Sequence, residues 1–233
     1  MKHQKVALIT GANKGIGFQT AKDLGAKGYK ILLGSRNTER GKEACSVLAG
    51  EGVDVEFIQL DVSNPESIQS AFQQVSKNYQ HIDVLVNNAG ILNDSSNTIL
   101  DIPFNTAIET LQTNSLGALW TTQVFQPLLT KGSRIVMVSS GLGEFCSGVS
   151  DYAPIYSISK TTLNAITKHL DKALTKTGII INAICPGWVK SDMGGQEASR
   201  TLEQGADTIV WLASEAPDTI HGQFLRDRKP ISW

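Results

Sequence analysis

Short apolar runs alternate with longer amphipathic stretches along almost the whole chain. Several of the short runs are almost wholly apolar, which is typical of strands in a parallel sheet covered by helices on both faces. They predict strands at residues 5–10, 30–34, 53–59, 82–87, 133–139, 179–184 and 222–225. The stretches between them predict helices at residues 15–27, 38–49, 65–78, 104–130, 155–177 and 201–214. This alternation predicts a doubly wound α/β fold. Because no linker, charge block or repeat interrupts it, we expect residues 1–233 to form a single domain.

Composition and charge narrow the class of protein. The chain has 233 residues, of which 41% are hydrophobic and 18% charged, as in a globular protein with a substantial core. Lys and Arg number 21 against 22 Asp and Glu, so no overall field favours nucleic acid or an anionic membrane as a partner. The apolar runs are also far too short to span a bilayer. Cys45, Cys146 and Cys185 are widely spaced and no histidine lies at ligand spacing, which predicts reduced thiols in a cytoplasmic protein and no metal site.

A glycine-rich turn, TGANKGIG at residues 10–17, leads from the first predicted strand into the first predicted helix. Glycine permits the tight turn and lets the backbone approach a pyrophosphate, and the helix N-terminus offers free N–H groups to that anion. The spacing GxxxGxG differs from the general dinucleotide fingerprint GxGxxG, so the turn alone is also compatible with one that binds no ligand.

A second group of candidate residues lies in MVSSGLGEFCSGVSDYAPIYSISK, residues 137–160. Ser139 and Ser140 end a predicted strand, and Tyr156 and Lys160 lie one turn apart on one face of a predicted helix. A phenol with a pKa of about 10 is a poor proton carrier at neutral pH, and a neighbouring ammonium would lower its pKa. On spacing alone, however, a tyrosine and a lysine four residues apart are usually surface residues of a helix.

Five motifs follow one another along the chain in an order that can be compared with known families. TGANKGIG is followed by NNAG at residues 87–90, LQTNSLG at 111–117, the serine at 140 and YSISK at 156–160. In this order they resemble the short-chain dehydrogenase/reductase family. CPGWVKSDMGG at residues 185–195 and RDRKPISW at 226–233 resemble its carbonyl reductase branch. The resemblance covers essentially the whole chain and implies a Rossmann fold with a seven-stranded parallel sheet flanked by helices.

The resemblance also implies a site for NADP (NADPH). The residues that match the family's cofactor positions are Gly11, Asn13, Lys14, Gly15, Ile16, Gly17, Arg36, Asp61, Val62, Asn88, Ala89, Gly90, Tyr156, Lys160, Pro186, Gly187, Val189 and Ser191. Read without the family, residues 87–90 are only a turn, and Asp61 would serve equally well as the cap of the helix that starts near Pro65.

The end of the second predicted strand indicates NADPH rather than NADH. NAD-specific relatives place an acid there, which binds the ribose hydroxyls and repels a 2′-phosphate. This chain has Ser35 at that position and Arg36 next to it, and Lys14 adds a positive charge from the glycine turn. A guanidinium fork suits a phosphate. The alternative is that Arg36 and Lys14 are ordinary solvated cations.

The catalytic residues implied by the resemblance are Asn114, Ser140, Tyr156 and Lys160. Ser140 would bind the substrate carbonyl oxygen, and Tyr156 would protonate that oxygen as hydride arrives. Lys160 would lower the pKa of Tyr156 and bind the nicotinamide ribose, and Asn114 would hold a water that links Lys160 to solvent. An apolar pocket wall is expected from Leu142, Phe145, Ile155, Trp188 and Met193.

These assignments predict an NADPH-dependent oxidoreductase that reversibly reduces a ketone or aldehyde to an alcohol. One alternative is a redox sensor that binds the dinucleotide without turnover, but a sensor need not retain a complete set of Ser140, Tyr156 and Lys160. Another is an isomerase or dehydratase on the same fold, but those chains are usually longer and have a larger C-terminal lobe.

One departure from the carbonyl reductase branch bears on self-association. Its monomeric members carry a long insertion between the catalytic serine and tyrosine, which covers a helix face. Here only the fifteen residues 141–155 separate Ser140 from Tyr156. We therefore expect a homodimer or homotetramer built through the predicted helices at residues 104–130 and 155–177.

Overall fold

The computed structural model describes residues 4–146 and 148–233. Eight strands in this part of the chain form one sheet. They are β1 (Val6–Ile9), β2 (Lys30–Ser35), β3 (Val55–Gln59), β4 (Ile82–Asn87), β5 (Leu129–Val138), β6 (Ile180–Ile184), β7 (Phe224–Arg226) and β8 (Lys229–Pro230). The helices are α1 (Gly15–Ala26), α2 (Thr38–Gly50), α3 (Pro65–Asn78), α4 (Phe104–Leu111), α5 (Gly117–Phe125), α6 (Pro154–Leu174) and α7 (Leu202–Ser214).

The strand order is β3-β2-β1-β4-β5-β6-β7-β8. Strands β1 to β7 are parallel, and β8 pairs antiparallel with β7 through Leu225 opposite Pro230. The predicted doubly wound Rossmann sheet is therefore confirmed, and the expected seven parallel strands are extended by a two-residue antiparallel edge. The order reverses between β1 and β4, which is where open α/β sheets bind ligands.

Helices cover both faces of the sheet, and each face has its own apolar core. Leu24 of α1 and Ile209 of α7 belong to one core cluster, whereas Ile68 of α3, Phe125 of α5 and Leu163 of α6 belong to the other. Successive strand residues point to opposite faces of the sheet, and helices cover both faces. Nearly every position of β1 and β4 is therefore buried. This two-sided burial explains why these strands read as continuous apolar runs.

The predicted helix at residues 104–130 is wrong as a continuous helix. The structure has α4, a π-helical turn at Gln112–Leu116, α5, and a 3₁₀ turn at Gln126–Leu128 before β5 begins at Leu129. Pro127 cannot donate a backbone hydrogen bond, which ends the α-helical ladder. The other predicted elements lie within three residues of their observed bounds, except that β5 starts four residues early.

Within the described ranges, no helix combines the length and apolarity that crossing a bilayer requires.

Candidate active site

The carboxyl ends of the central strands open onto one cleft with a volume of about 1150 Å³. Every residue that the sequence assigned to the cofactor lines this cleft, and so does Ser140. Asn114 is buried next to it, in the π-helical turn. The fold therefore brings the predicted site residues together from both ends of the chain. Among the described residues, no group of three or more His, Cys, Asp or Glu could hold a metal ion.

The glycine turn is shaped for close approach by a ligand. Gly11 has φ +63°, and a Cβ there would lie 2.9 Å from the Cα of Ala89. A Cβ on Gly17 would lie 2.4 Å from the amide nitrogen of Asn88. Lys14 stands at the N-cap of α1 and makes no side-chain capping bond, so the first N–H groups of the helix have no side-chain acceptor there. This cradle fits an anionic group such as a pyrophosphate.

Asn88 fastens the glycine turn to the end of β4. Its Nδ2 donates to the carbonyl oxygens of Thr10, at 2.9 Å, and Gly11, at 3.1 Å. The Thr10 hydroxyl oxygen accepts in return from the backbone N–H groups of Asn88 and Ala89, each at 3.0 Å. Sequence reasoning missed the role of Thr10, although it is the first residue of TGANKGIG. The reading of residues 87–90 as only a turn is therefore incomplete, because Asn88 and Ala89 hold the backbone of the glycine turn in place.

Asn87 has a different role, within the sheet. Its Nδ2 donates to the hydroxyl of Thr122 on α5, at 2.9 Å, and to the sulfur of Met137 on β5, at 3.3 Å. These two bonds join the end of β4 to α5 and to β5. Asn87 itself is buried.

The interpretation of Asp61 as a helix cap is wrong. Asn64 caps α3, and its side chain accepts from the N–H groups of Glu66 and Ser67. Asp61 instead accepts from the backbone N–H and the hydroxyl of Ser63, at 3.0 and 2.6 Å. Its place in the cleft lining is thereby fixed at the end of β3.

Arg36 and Lys14 differ in what surrounds them. Arg36 is exposed at the end of β2 and lines the cleft, whereas Ser35 is buried and donates to the carbonyl oxygen of Asn37 at 3.1 Å. The Nζ of Lys14 lies 2.7 Å from the carboxylate of Asp192, and this bond lowers the pKa of Asp192. Both partners are more than half exposed, so the pair is weak and a phosphate could compete for Lys14. Sequence reasoning missed Asp192 because it lies far away in the chain.

The π-helical turn places Asn114 between two segments of the site. Its Oδ1 accepts from the N–H of Ile91 at 2.8 Å, and its Nδ2 donates to the carbonyl of Ile91 at 2.9 Å and to the hydroxyl of Ser159 at 3.0 Å. Asn114 therefore joins the chain after NNAG to the turn of α6 that carries Lys160. π-turns inside helices often mark functional sites.

The start of α6 depends on a residue that sequence reasoning missed. Ala153 precedes the helix in the left-handed region, with φ 49°, and has no side chain that could cap it. The carboxylate of Asp94, which is fully buried, takes that role. Its Oδ2 accepts from the N–H groups of Ile155 at 2.7 Å and Tyr156 at 3.3 Å, and its Oδ1 has no hydrogen-bond partner. No sequence signal linked this residue to a helix about sixty positions further on.

Tyr156 and Lys160 are both buried at the cleft, with 8% and 3% of their surface exposed. The Nζ of Lys160 lies 5.5 Å from the centroid of the Tyr156 ring and donates to the carbonyl oxygen of Val138 at 2.8 Å. Burial raises the pKa of Tyr156 to about 12, although a hydrogen bond with Ser140 acts in the opposite direction. Burial also lowers the pKa of Lys160 to about 8. The net shift of the phenol's pKa is therefore upward, opposite to the expected lowering, because desolvation is the largest cause at both groups.

The two adjacent serines have separate roles in the structure. The hydroxyl oxygen of Ser140 accepts from the N–H of Leu142 at 3.1 Å and faces the cleft. Ser139 is buried and donates to the amide oxygen of Asn164 on α6 at 2.7 Å. Ser139 therefore packs β5 against α6, and Ser140 is the serine that a ligand could reach.

The apolar wall of the cleft differs in part from the prediction. Leu142, Trp188 and Met193 line it as expected. Phe145 and Ile155 do not: Phe145 is 67% exposed outside the lining, and Ile155 is buried in the first turn of α6. The further apolar or aromatic residues in the lining include Ile91, Leu92 and Tyr152.

A doubly wound sheet with a glycine turn after β1 and a Ser-Tyr-Lys group beside it defines the class of short-chain dehydrogenases. Residues 5–202 match the family described as short chain dehydrogenase, and the chain belongs to that family. It is 34% identical over 277 positions to carbonyl reductase 1 of Mus musculus, and 35% identical over 280 positions to carbonyl reductase 3 of Rattus norvegicus. Each alignment covers 98% of this chain and 98% of the relative, and both relatives carry NADPH in their names. The predicted likeness to the carbonyl reductases is confirmed.

Solved structures show the same likeness to carbonyl reductases. An NADPH-bound carbonyl reductase from chicken fatty liver superposes with a TM-score of 0.88 at 27% identity and covers 100% of both chains. The carbonyl reductase Sniffer of D. melanogaster superposes with a TM-score of 0.89 at 28% identity and covers 99% of this chain and 100% of its own. The mouse alignment extends over 277 positions and this chain has 233 residues, so at least 44 of those positions have no counterpart here.

Proposed function

We propose that this protein is an NADPH-dependent reductase that converts a ketone or aldehyde to an alcohol by reversible hydride transfer. The observation that carries the proposal is the position of Ser140, Tyr156 and Lys160 in the same cleft as the glycine turn. The likeness to the mouse and rat carbonyl reductases along almost the whole chain supports it.

The cleft residues suit NADPH, which supplies the hydride when it is bound. The glycine turn and the N-terminus of α1 would hold the pyrophosphate, and Arg36 with Lys14 would hold the 2′-phosphate. Asp61 and Val62, which line the cleft, are assigned to the adenine. The residues assigned to the nicotinamide half are Asn88, Ala89, Gly90, Pro186, Gly187, Val189 and Ser191, and Lys160 is assigned to its ribose.

Each catalytic side chain then has a distinct task. The Ser140 hydroxyl donates a hydrogen bond to the substrate oxygen, and Tyr156 transfers its phenolic proton to that oxygen. A pKa of about 12 keeps Tyr156 protonated at neutral pH, so the phenol holds the proton that reduction consumes. Lys160, with a pKa of about 8, is mostly charged at neutral pH and stabilises the phenolate that forms. Asn114 positions the Lys160 turn through Ser159.

The test is NADPH consumption by the purified protein against a panel of small and bulky carbonyl compounds. Tyr156→Phe should lower kcat by at least about 10²-fold, the usual contribution of a positioned acid, while NADPH affinity stays within a few-fold. A variant that retains wild-type kcat would contradict the role of Tyr156. Tight NADPH binding without turnover of any carbonyl would instead favour the redox sensor.

We also propose that two copies or more associate through α4 and α6. Phe104 and Ile108 lie one turn apart on α4 and are 78% and 46% exposed, and Ile158 on α6 is 43% exposed. Leu100, just before α4, is 93% exposed, so large apolar side chains are grouped on this side. Light scattering should give at least twice the chain mass of 25.1 kDa at micromolar concentration. Phe104→Glu with Ile108→Glu should produce monomers, and a monomeric wild type would refute the proposal.

We further assign residues 1–233 to one domain and the protein to the cytoplasm. The continuous sheet from β3 to β8 supports the first assignment. The three free thiols of Cys45, Cys146 and Cys185 support the second, because a reducing compartment keeps thiols unpaired.

A further inference from the structure

We propose that Arg226 makes this enzyme selective for carbonyl compounds that carry a carboxylate a few bonds from the carbonyl group. The inference rests on the proposed reductase function and specifies the substrate class of the same site.

Arg226 reaches the catalytic part of the cleft from the end of β7. Its Nη2 donates to the sulfur of Cys185 at 3.0 Å, and a Cβ on Gly141 would lie 2.4 Å from the same nitrogen. Arg226, Cys185 and Gly141 all line the cleft. Gly141 directly follows Ser140, so the guanidinium lies beside the residue assigned to the substrate oxygen.

The hydrogen bonds that the protein offers this guanidinium are poor. A guanidinium has five N–H donors, and a thiol sulfur is a weak acceptor. Its Nε is buried without a partner. Among the described residues, no carboxylate lies within ion-pair distance of Arg226. The adjacent Asp227 is held by Arg200 through two bonds of 2.6 and 2.7 Å. A partly buried cation that lacks an anion is unfavourable, so a carboxylate entering the cleft would complete this arrangement.

The distribution of charge along the cleft points to the same ligand. Among the described residues that line the cleft, the acids are Asp61, which follows β3, and Asp192, which is paired with Lys14 in the glycine turn. The catalytic part of the lining contains the cations Lys160 and Arg226 and, within the described residues, no acid. An anionic substrate is therefore attracted to this end of the cleft.

The spacing of the two anchors limits the length of the substrate. Consecutive Cα atoms are about 3.8 Å apart, and Ser140 and Gly141 are consecutive. The Arg226 guanidinium lies against the residue that follows Ser140, so we assign a carboxylate on Arg226 and a carbonyl oxygen on Ser140 to one small molecule in which only a few bonds separate them. The apolar remainder of the molecule would lie against Leu142, Trp188 and Met193, which points to short-spaced oxo acids with an apolar body.

The test compares each oxo acid with its own methyl ester. The probes are phenylglyoxylate and benzoylpropionate, assayed with the full-length protein and NADPH. Arg226→Gln should lower kcat/KM for the acids by about 10- to 100-fold, the range for a hydrogen bond to a charged group, and change kcat/KM for the esters less than about threefold. Each acid is compared with its own ester in both the wild type and the variant. The difference in intrinsic reactivity between acid and ester therefore cancels when the two proteins are compared. The matched control is Arg228→Gln, which removes an exposed arginine that pairs with Asp207. It should leave kcat/KM unchanged for both the acids and the esters.

Equal losses for acid and ester in Arg226→Gln would overturn the proposal, since the arginine would then only support the Ser140 loop. If Arg226→Gln does not fold, inhibition of the wild type decides: phenylacetate should compete with substrate at least tenfold better than phenylacetamide, and equal inhibition overturns the inference. Failure of the reductase function itself looks different, because the wild type would then turn over neither acids nor esters.

Discussion

Replacing Lys160 by methionine should abolish turnover and, at the same time, remove a pH-dependent destabilisation of the fold. The ammonium of Lys160 is buried on α6 with 3% of the residue exposed, and burial lowers its pKa from 10.5 to about 8. The unfolded chain therefore binds the lysine proton more tightly than the folded chain does. It follows that wild-type stability rises as pH increases from about 8 to 10.5, and that the destabilisation is fully present below pH 8.

The magnitude follows from the same shift. A difference of one pKa unit corresponds to about 1.4 kcal/mol, so moving the pKa from 10.5 to about 8 corresponds to about 3 kcal/mol. Between pH 7 and pH 10, the wild type should gain roughly 2–3 kcal/mol in free energy of unfolding relative to Lys160→Met. The variant also leaves the carbonyl of Val138 without its donor, a cost of about 1–3 kcal/mol that does not depend on pH. This cost shifts the whole curve and leaves its slope unchanged.

The assay is urea unfolding of both proteins at four pH values from 7 to 10. The matched control is Lys168→Met on the same helix, where the side chain is exposed and donates to the carbonyl of Gly222. The difference between wild type and Lys160→Met should change by the amount above, and the difference for Lys168→Met should change much less. A Lys160→Met difference that stays constant with pH would refute the reasoning that burial controls this lysine.

Three further predictions concern catalysis and cofactor choice. The kcat for carbonyl reduction should fall as pH rises through about 8, where Lys160 loses its charge, and a profile that stays flat to pH 10 would contradict its role. Asp94→Ala should lower kcat about 10-fold or more at unchanged KM for NADPH, because Tyr156 is no longer positioned. Asp94→Asn, whose amide oxygen still accepts, should restore most of the rate; equal loss in both variants would mean that accepting these two N–H bonds is not what positions Tyr156. Arg36→Ala should raise KM for NADPH by about 10- to 100-fold and leave KM for NADH unchanged, with a smaller effect from Lys14→Ala because Lys14 already has a carboxylate partner. Equal kcat/KM for the two cofactors in the wild type would overturn the assignment.

The sequence alone determined the features that depend on residues close to one another in the chain. The apolar runs predicted the strands and their parallel sheet, because strands buried on both faces have no polar alternation. Gly11 and Gly17 marked the tight turn after β1, because the close approach of Ala89 and Asn88 leaves no room for a side chain there. The spacing of Tyr156 and Lys160 placed them on one helical face. Motif order then indicated the family, which the comparisons confirmed.

Only the tertiary structure decided how these residues are supported and how strongly they are desolvated. The cap from Asp94, the pairing of Lys14 with Asp192 and the placement of Arg226 beside Cys185 all join segments that are distant in the chain. The interruption of the long predicted helix by a π-helical turn likewise places Asn114 against Ile91 and Ser159. The direction of the pKa shift at Tyr156 was predicted wrongly because spacing reveals a nearby charge but not the depth of burial. Helical periodicity and glycine sterics act between residues close in sequence, whereas desolvation and Coulomb interactions depend on distances through space that only the folded chain sets.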